Sequence, residues 1–241
     1  YFKLETQNPT GSFKDRGSAV EISFAKEIGA KGIVLASTGN MAASCSCYAA
    51  NAGIPCFVFV PEGTPPSKLA QVISYGGHIV QVKGNYGDAS RMAEEVARKL
   101  NFYLAGDYAL RVEGHKTAAF ELIDQLFFES PDYVIVPMGC GTNIACYQKG
   151  FREYLSLGFI QQLPKLIGVQ ASGASPIINS FNKKQKNFTA LKQINTQASA
   201  IAINNPLDGI KALDAIYCSK GLGFAVSDNE MLEAQHLLAR E

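Results

Sequence analysis

The chain has 241 residues, of which 47% are hydrophobic and 18% are charged, and 22 Lys and Arg residues nearly balance 21 Asp and Glu residues. This composition is typical of a globular protein of one or two domains. The net charge of +1, without a long run of either sign, argues against a nucleic-acid partner. No apolar run approaches the ~20 residues that span a bilayer, so we expect no membrane segment.

The cysteines and the first residues indicate the setting of the chain. Its 6 cysteines include no Cys-x-x-Cys pair and mostly lie among apolar residues, which favours a reduced, cytoplasmic environment and no metal site. The sequence begins at Tyr1, without an initiating Met or a signal peptide. We therefore expect a fragment of a longer protein.

Strand patterns alternate with helix patterns along most of the chain. Such alternation is typical of βαβ units with parallel strands and predicts a doubly wound α/β architecture. The continuous apolar runs at 56–60 and 133–136 predict strands that are covered on both faces. In chain order the predicted elements are helix 18–28, strand 32–36, helix 41–52, strand 55–60, helix 66–75, strand 78–82, helix 86–100, helix 114–128, strand 133–136, helix 143–157, strand 166–170, strand 223–226 and helix 228–239. The polar stretch 179–196 is expected to be a surface excursion.

A glycine-rich loop follows the predicted strand 133–136. It reads Gly139-Cys140-Gly141-Thr142-Asn143 and opens the next predicted helix. Backbone N–H groups at such a turn, together with the helix dipole, favour an anion such as phosphate. An ordinary tight turn is equally compatible with this loop alone, and neither the dinucleotide nor the Walker pattern is present.

A lysine lies at the start of the first helix pattern. Lys14 follows the Pro- and Gly-containing segment 8–13, and a helix N-terminus disfavours a cation. Such a site favours a neutral amine that can form a Schiff base. On this feature alone, a solvated surface lysine is the commoner interpretation.

A second small-residue turn, Ser37-Thr38-Gly39-Asn40, follows the predicted strand 32–36. Hydroxyls and N–H groups at a helix start suit a carboxylate, although a plain helix cap explains the same residues.

Together, the Lys14 segment, the 37–40 turn and the 139–143 loop resemble, in order and spacing, the fold type II pyridoxal-phosphate enzymes. Within that group, the segments 4–17, 111–117 and 163–171 are most similar to the threonine synthases. The resemblance implies two doubly wound α/β domains of the tryptophan synthase beta-like architecture. The expected division is a smaller domain at 18–110 and a larger one formed by 1–17 and 111–241, incomplete at both ends. It also implies a segment after Glu241 that faces the pyridine nitrogen, weak cofactor binding by the fragment alone, and a homodimer.

The resemblance also implies roles for individual residues. Lys14 would form the Schiff base with pyridoxal 5'-phosphate and move protons, and Asn40 would hydrogen-bond the ring oxygen. Residues Gly139, Cys140, Gly141, Thr142 and Asn143 would bind the cofactor phosphate. For an amino-acid substrate, Ser37 and Thr38 would receive the carboxylate, and Lys68 and Arg111 would receive the phosphate of O-phosphohomoserine.

Three residues depart from the pattern of the threonine synthases. Met41 replaces a common threonine, Cys140 a common asparagine, and Asp107 lies in a segment that is usually rich in Ser and Asn. Met41 cannot donate to a phosphate, and Asp107 would repel one nearby. A threonine or serine dehydratase, or a related β-replacement enzyme, is therefore a second hypothesis, and a degenerate binding module is a third.

Overall fold

The computed structural model describes residues 1–106 and 108–240. The chain divides into two compact units, Tyr1–His115 (unit 1) and Lys116–Glu241 (unit 2). This division differs from the predicted one, which groups residues 1–17 with 111–241 and stays a prediction. In the described residues, no helix has both the length and the apolar character needed to cross a membrane.

Unit 1 contains a four-stranded sheet with the strand order β3-β2-β1-β4, and all its neighbouring strands are parallel. The strands are β1 (Ile33–Ala36), β2 (Cys56–Pro61), β3 (His78–Val82) and β4 (Tyr103–Leu104). The helices are α1 (Lys14–Glu27), α2 (Asn40–Ala52), α3 (Pro66–Ser74), α4 (Tyr86–Leu100) and α5 (Ala109–His115).

Helices cover both faces of this sheet. Because side chains alternate along a strand, Ile33 and Leu35 pack with apolar residues of α1, α2 and α3. Val34, between them, and Phe59 pack with the alanines of α4 on the opposite face. Unit 1 therefore confirms the predicted doubly wound α/β architecture and the prediction that strand 56–60 is covered on both faces.

Unit 2 contains a three-stranded parallel sheet with the strand order β5-β6-β7. The strands are β5 (Tyr133–Pro137), β6 (Lys165–Ala171) and β7 (Leu222–Val226). The helices are α6 (Thr117–Gln125), α7 (Thr142–Ser156), α8 (Pro176–Asn182), α9 (Gly209–Cys218) and α10 (Asp228–Leu238).

The prediction that strand 133–136 is covered on both faces is wrong for the described residues. Val134 and Val136 lie in the core with residues of α6 to α9. Tyr133 and Ile135 point the other way and are 51% and 67% exposed. The core helices all pack on one face of the sheet, so an apolar run was not sufficient to establish two covered faces.

The remaining differences lie at short or interrupted elements. The predicted helix 114–128 corresponds to α6 and to the last two residues of α5, which begins at Ala109, and α1 begins at Lys14 rather than at residue 18. Among the strands and α-helices of the described residues, β4, α8 and α9 were not predicted. The two helices begin at a proline and a glycine, residues that usually mark turns in a sequence, and β4 has only two residues. The predicted surface excursion at 179–196 begins inside α8.

Candidate active site

Lys14 and Asn40 begin two neighbouring helices of unit 1. Each is the first residue of its helix, α1 and α2 respectively. One turn further on, Ser44 donates a hydrogen bond to Ser18, with 2.6 Å between the two Oγ atoms and 26 residues between the two positions. Later turns of both helices line one small cavity, so the helices run parallel. Since Asn40 follows Lys14 by the same 26 residues, the structure brings these two residues to the same end of the helix pair.

The two residues after Lys14 fix the loop that precedes it. The buried carboxylate of Asp15 accepts hydrogen bonds from the N–H of Thr10 (2.7 Å) and from its hydroxyl (2.6 Å). Arg16 donates two hydrogen bonds of 2.8 Å to the carboxylate of Glu5, the bidentate geometry that favours a fixed orientation. The position of Lys14 is therefore set by its neighbours, and its own amine lies 4.9 Å from the ring centroid of Phe13.

The 37–40 turn lies at the carboxyl end of β1, where open parallel sheets commonly bind ligands. Ser37 accepts a hydrogen bond from the N–H of Gly39 (Oγ–N 3.3 Å), and Gly39 precedes α2 as its N-cap. Ser37 and Thr38 are half-buried, while Asn40 is exposed. Met41 directs its side chain to the core of unit 1, so it does not extend the row of polar groups.

Lys68 lies on α3, near the loop before Lys14. Its side chain is exposed. One turn later, the side chain of Gln71 donates a hydrogen bond to the carbonyl of Thr10 (3.4 Å). The structure therefore places Lys68 on a helix that contacts the Lys14 loop.

Arg111 is fully buried in unit 1 and forms an ion pair. Its guanidinium lies 2.6 Å from the carboxylate of Glu21, and neither side chain has exposed area. The same guanidinium donates to Ser18, to the Cys45 sulfur at 2.9 Å and to the carbonyl of Lys14 at 3.4 Å. Burial raises the pKa of the Cys45 thiol, so Glu21 supplies the negative charge opposite Arg111.

Helices α1 and α5 pack closely against each other at two glycines. A Cβ atom at Gly17 would lie 2.5 Å from Cγ of Arg111, and one at Gly114 would collide with the backbone of Arg16. The absence of a Cβ atom at these two glycines allows the backbones of α1 and α5 to come into contact. The crossing places Arg111 and His115 beside the first turns of the Lys14 helix.

His115 is a buried, neutral histidine next to the Lys14 segment. Its ring centroid lies 5.0 Å from that of Phe13. Burial, together with the positive charges of Lys14 and Arg111, lowers the pKa of His115 to about 2. Nothing in the local sequence around His115 signals that this side chain is buried.

We expect His115 to make the stability of the protein depend on pH. Below pH ~6.5, the pKa of a histidine in the unfolded chain, His115 binds a proton in the unfolded state but stays neutral in the folded state. The free energy of unfolding should therefore fall by about 1.4 kcal/mol more between pH 7.5 and 5.5 in the wild type than in His115→Gln. Urea unfolding of the full-length protein at the two pH values measures this difference.

The matched control for this prediction is His236→Gln, because His236 is exposed on α10. That variant should retain the decline of the wild type. An equal decline in His115→Gln and in the wild type would contradict the burial of a neutral His115.

The 139–143 loop in unit 2 connects β5 to α7. Gly141 is the N-cap of α7 and adopts a left-handed conformation with φ +88°. The N–H groups of Thr142, Asn143 and Ile144 come first in the helix and therefore have no acceptor within it. A row of N–H groups at the positive end of a 15-residue helix fits a phosphate group.

Three polar residues of these two regions were missed by the sequence analysis. Glu21, Cys45 and Asp208 contact Arg111 or Thr142 from 66 or more residues away in the sequence. No motif joins such distant positions, so only the fold could reveal them. Asp107, one of the three departures noted above, lies outside the described residues.

These features define the class of the protein. Parallel α/β units, a lysine and an asparagine that begin adjacent helices, and a glycine loop at a helix start together suit an enzyme that holds a phosphorylated cofactor. A family model described as "Pyridoxal-phosphate dependent enzyme" matches residues 1–241. The chain belongs to the pyridoxal-phosphate dependent enzyme family, whose cofactor is pyridoxal phosphate.

Individual proteins are similar to this chain over its whole length or nearly so. A threonine synthase of Methanocaldococcus jannaschii is 48% identical over 243 residues, which cover 100% of this chain and 60% of that protein. A solved structure of maize serine racemase matches with a TM-score of 0.81 at 23% identity, covering 97% of this chain and 68% of that one. Threonine deaminase isoform 2 of Solanum lycopersicum matches with a TM-score of 0.75 at 24% identity, covering 92% of this chain and 63% of that one. The two structures show the fold, and the chain spans about 60% of the length of the synthase it matches.

Proposed function

We propose that the full-length protein is a threonine synthase, which converts O-phospho-L-homoserine and water into L-threonine and phosphate. The observation that carries the chemistry is the parallel pairing of α1 and α2, which brings Lys14 and Asn40 to one end of unit 1. The 48% identity to the synthase of M. jannaschii supports the choice of substrate.

Lys14 is the proposed catalytic residue. Its amine would hold the cofactor as a Schiff base and would carry protons to and from the substrate carbons. When bound, pyridoxal phosphate supplies an electron sink for carbanion chemistry. The ion pair and hydrogen bonds of Asp15 and Arg16 hold the Lys14 segment in a fixed geometry, which reduces the cost of reaching a reactive alignment.

In this proposal, the polar residues at the carboxyl end of β1 bind and orient the cofactor and the substrate. Asn40 can donate its amide to the ring oxygen of the cofactor, while Ser37 and Thr38 can donate hydroxyl and backbone hydrogens to the substrate carboxylate. Residues 139–143 of unit 2 provide N–H donors for the cofactor phosphate. These roles follow from donor chemistry and from the resemblance noted above.

Lys68 is the proposed ligand of the substrate phosphate, because it is an exposed cation next to the Lys14 loop. Arg111 is the second proposed ligand, and its guanidinium could reach a phosphate only by leaving Glu21, to which it is bonded at 2.6 Å. An Arg fork suits phosphate, but removing a buried ion from its counter-charge is costly.

The second candidate function is a threonine or serine dehydratase, or a related β-replacement enzyme. Met41 favours this alternative, since its side chain packs in the core and adds no donor for a phosphate. A degenerate binding module is the non-enzymatic alternative. A cytoplasmic location and a homodimer stay predictions.

The test is incubation of the full-length protein with pyridoxal phosphate and O-phosphohomoserine, followed by measurement of threonine and free phosphate. Equimolar products support the synthase. A 2-oxo acid formed from threonine, with no reaction of O-phosphohomoserine, selects the dehydratase. Absence of a borohydride-reducible bond at Lys14 selects the binding module.

A further inference from the structure

We propose that Asp208 is a positioning residue, which holds the 139–143 loop in the shape that receives the cofactor phosphate. The Thr142 hydroxyl then donates its hydrogen bond to Asp208 and not to the phosphate. This inference rests on the proposed function, since it takes the loop as the phosphate site.

Asp208 contacts the loop at three consecutive residues. Its carboxylate accepts a hydrogen bond from the hydroxyl of Thr142 at 2.7 Å, and both side chains are buried. Its backbone N–H donates to the carbonyl of Cys140 at 2.9 Å. A Cβ atom at Gly141 would lie 2.9 Å from the carbonyl oxygen of Asp208. One residue before α9 thus fixes the loop at the backbone and at a side chain.

The contact between Thr142 and Asp208 determines what Thr142 can offer a phosphate. A hydroxyl group has one hydrogen to donate, and in this structure the carboxylate of Asp208 accepts it. A phosphate dianion needs donors, so the side chain of Thr142 has no hydrogen left for it. Thr142 therefore contributes its backbone N–H, and its side chain fixes the direction of the first turn of α7.

The backbone contact determines the direction of a second donor. In a trans peptide the C=O of one residue and the N–H of the next point in opposite directions. Because the carbonyl of Cys140 faces the N–H of Asp208, the N–H of Gly141 points away from Asp208. The N–H of Gly141 is therefore on the side of the loop opposite to its backbone contact with Asp208.

A carboxylate close to an anion site would also repel the anion, and Lys211 offsets this effect. Its amine lies 2.7 Å from the second carboxylate oxygen of Asp208. Both carboxylate oxygens of Asp208 therefore have partners within unit 2: one accepts the hydrogen bond of Thr142, and the other pairs with Lys211. The ion pair lets a negative residue act as a hydrogen-bond acceptor beside a site for phosphate.

A double-mutant cycle in the full-length protein tests the proposal. The variants are Thr142→Val, Asp208→Ala and the two combined, and the readouts are the Kd of pyridoxal phosphate and the phosphorus resonance of the bound cofactor. We expect each single variant to weaken binding on the order of tenfold, the value of a hydrogen bond to a charged group. The double variant should bind pyridoxal phosphate no more weakly than the weaker-binding single variant, since both substitutions remove the same hydrogen bond.

Thr142→Ser retains the hydroxyl and should restore the wild-type Kd. Tyr154→Phe is the matched control, because Tyr154 donates a hydroxyl hydrogen bond to Asp124 (3.0 Å) near the other end of α7; it should leave the Kd unchanged. Where Asp208→Ala lowers the melting temperature of the apoprotein, Asp208→Leu takes its place in the cycle, because leucine is of similar size and has no acceptor for the Thr142 hydroxyl.

Two results would overturn the inference. One is weaker binding in Thr142→Val with unchanged or tighter binding in Asp208→Ala, which would mean that the hydroxyl contacts the phosphate. The other is full additivity of the two substitutions. Failure of the wild-type protein to bind pyridoxal phosphate at Lys14 would instead reject the proposed function, so the two failures are distinguishable.

Discussion

Replacement of Lys14 by alanine is expected to abolish turnover and leave the fold of the full-length protein intact. Proton transfer by a positioned side chain contributes ~10²–10⁴-fold to rate, and loss of the covalent link to the cofactor adds to this cost. We therefore expect activity to fall by at least about a thousandfold. Product formation, measured together with borohydride reduction and peptide mass analysis, tests the role of the amine.

The structure explains why the fold should tolerate this change. Lys14 is the first residue of α1, and the anchoring contacts of this region belong to Asp15 and Arg16. Lys26→Ala is the matched control, since it removes an exposed lysine from the last turn of the same helix. Retained turnover in Lys14→Ala, or equal losses in both variants, would refute the catalytic role.

The elements that the sequence predicts correctly are those whose signals are local. Period-2 and period-3.6 patterns within 15 residues located β3 and α4 with their observed bounds. Glycine turns after strands located the 139–143 loop and the 37–40 turn, because backbone conformation there depends on the residues themselves. Local chemistry therefore predicted, to within one residue, the positions where the two helices α2 and α7 begin.

The features that escape the sequence depend on contacts between distant residues. Arg111 and Glu21 are 90 residues apart, and Thr142 and Asp208 are 66 apart. A sequence shows that Arg111 is a cation but not that the fold buries it against a carboxylate. For the same reason, strand 133–136 was expected to be covered on both faces, whereas burial depends on which helices pack there.

The buried ion pair gives the second large effect. We expect Glu21→Gln to lower the free energy of unfolding by about 3–5 kcal/mol, because it leaves the guanidinium of Arg111 buried without a counter-charge. Neither side chain of the pair has exposed area, and the N–O distance is 2.6 Å. Urea unfolding at neutral pH measures the change.

A matched ion pair on the surface shows how much of the loss of stability is caused by burial and how much by the removal of a charge. Glu95 and Lys99 of α4 also meet at 2.6 Å, but their side chains are 44% and 67% exposed, so Glu95→Gln should leave the free energy of unfolding close to that of the wild type. Equal effects of the two substitutions would contradict the buried pair. If Arg111 instead serves mainly to bind substrate, Glu21→Gln would leave stability near the wild type and change KM alone. A large loss of stability would mean that Arg111 already supports α1 through Ser18 and the carbonyl of Lys14, and that any contact with substrate must compete with that role.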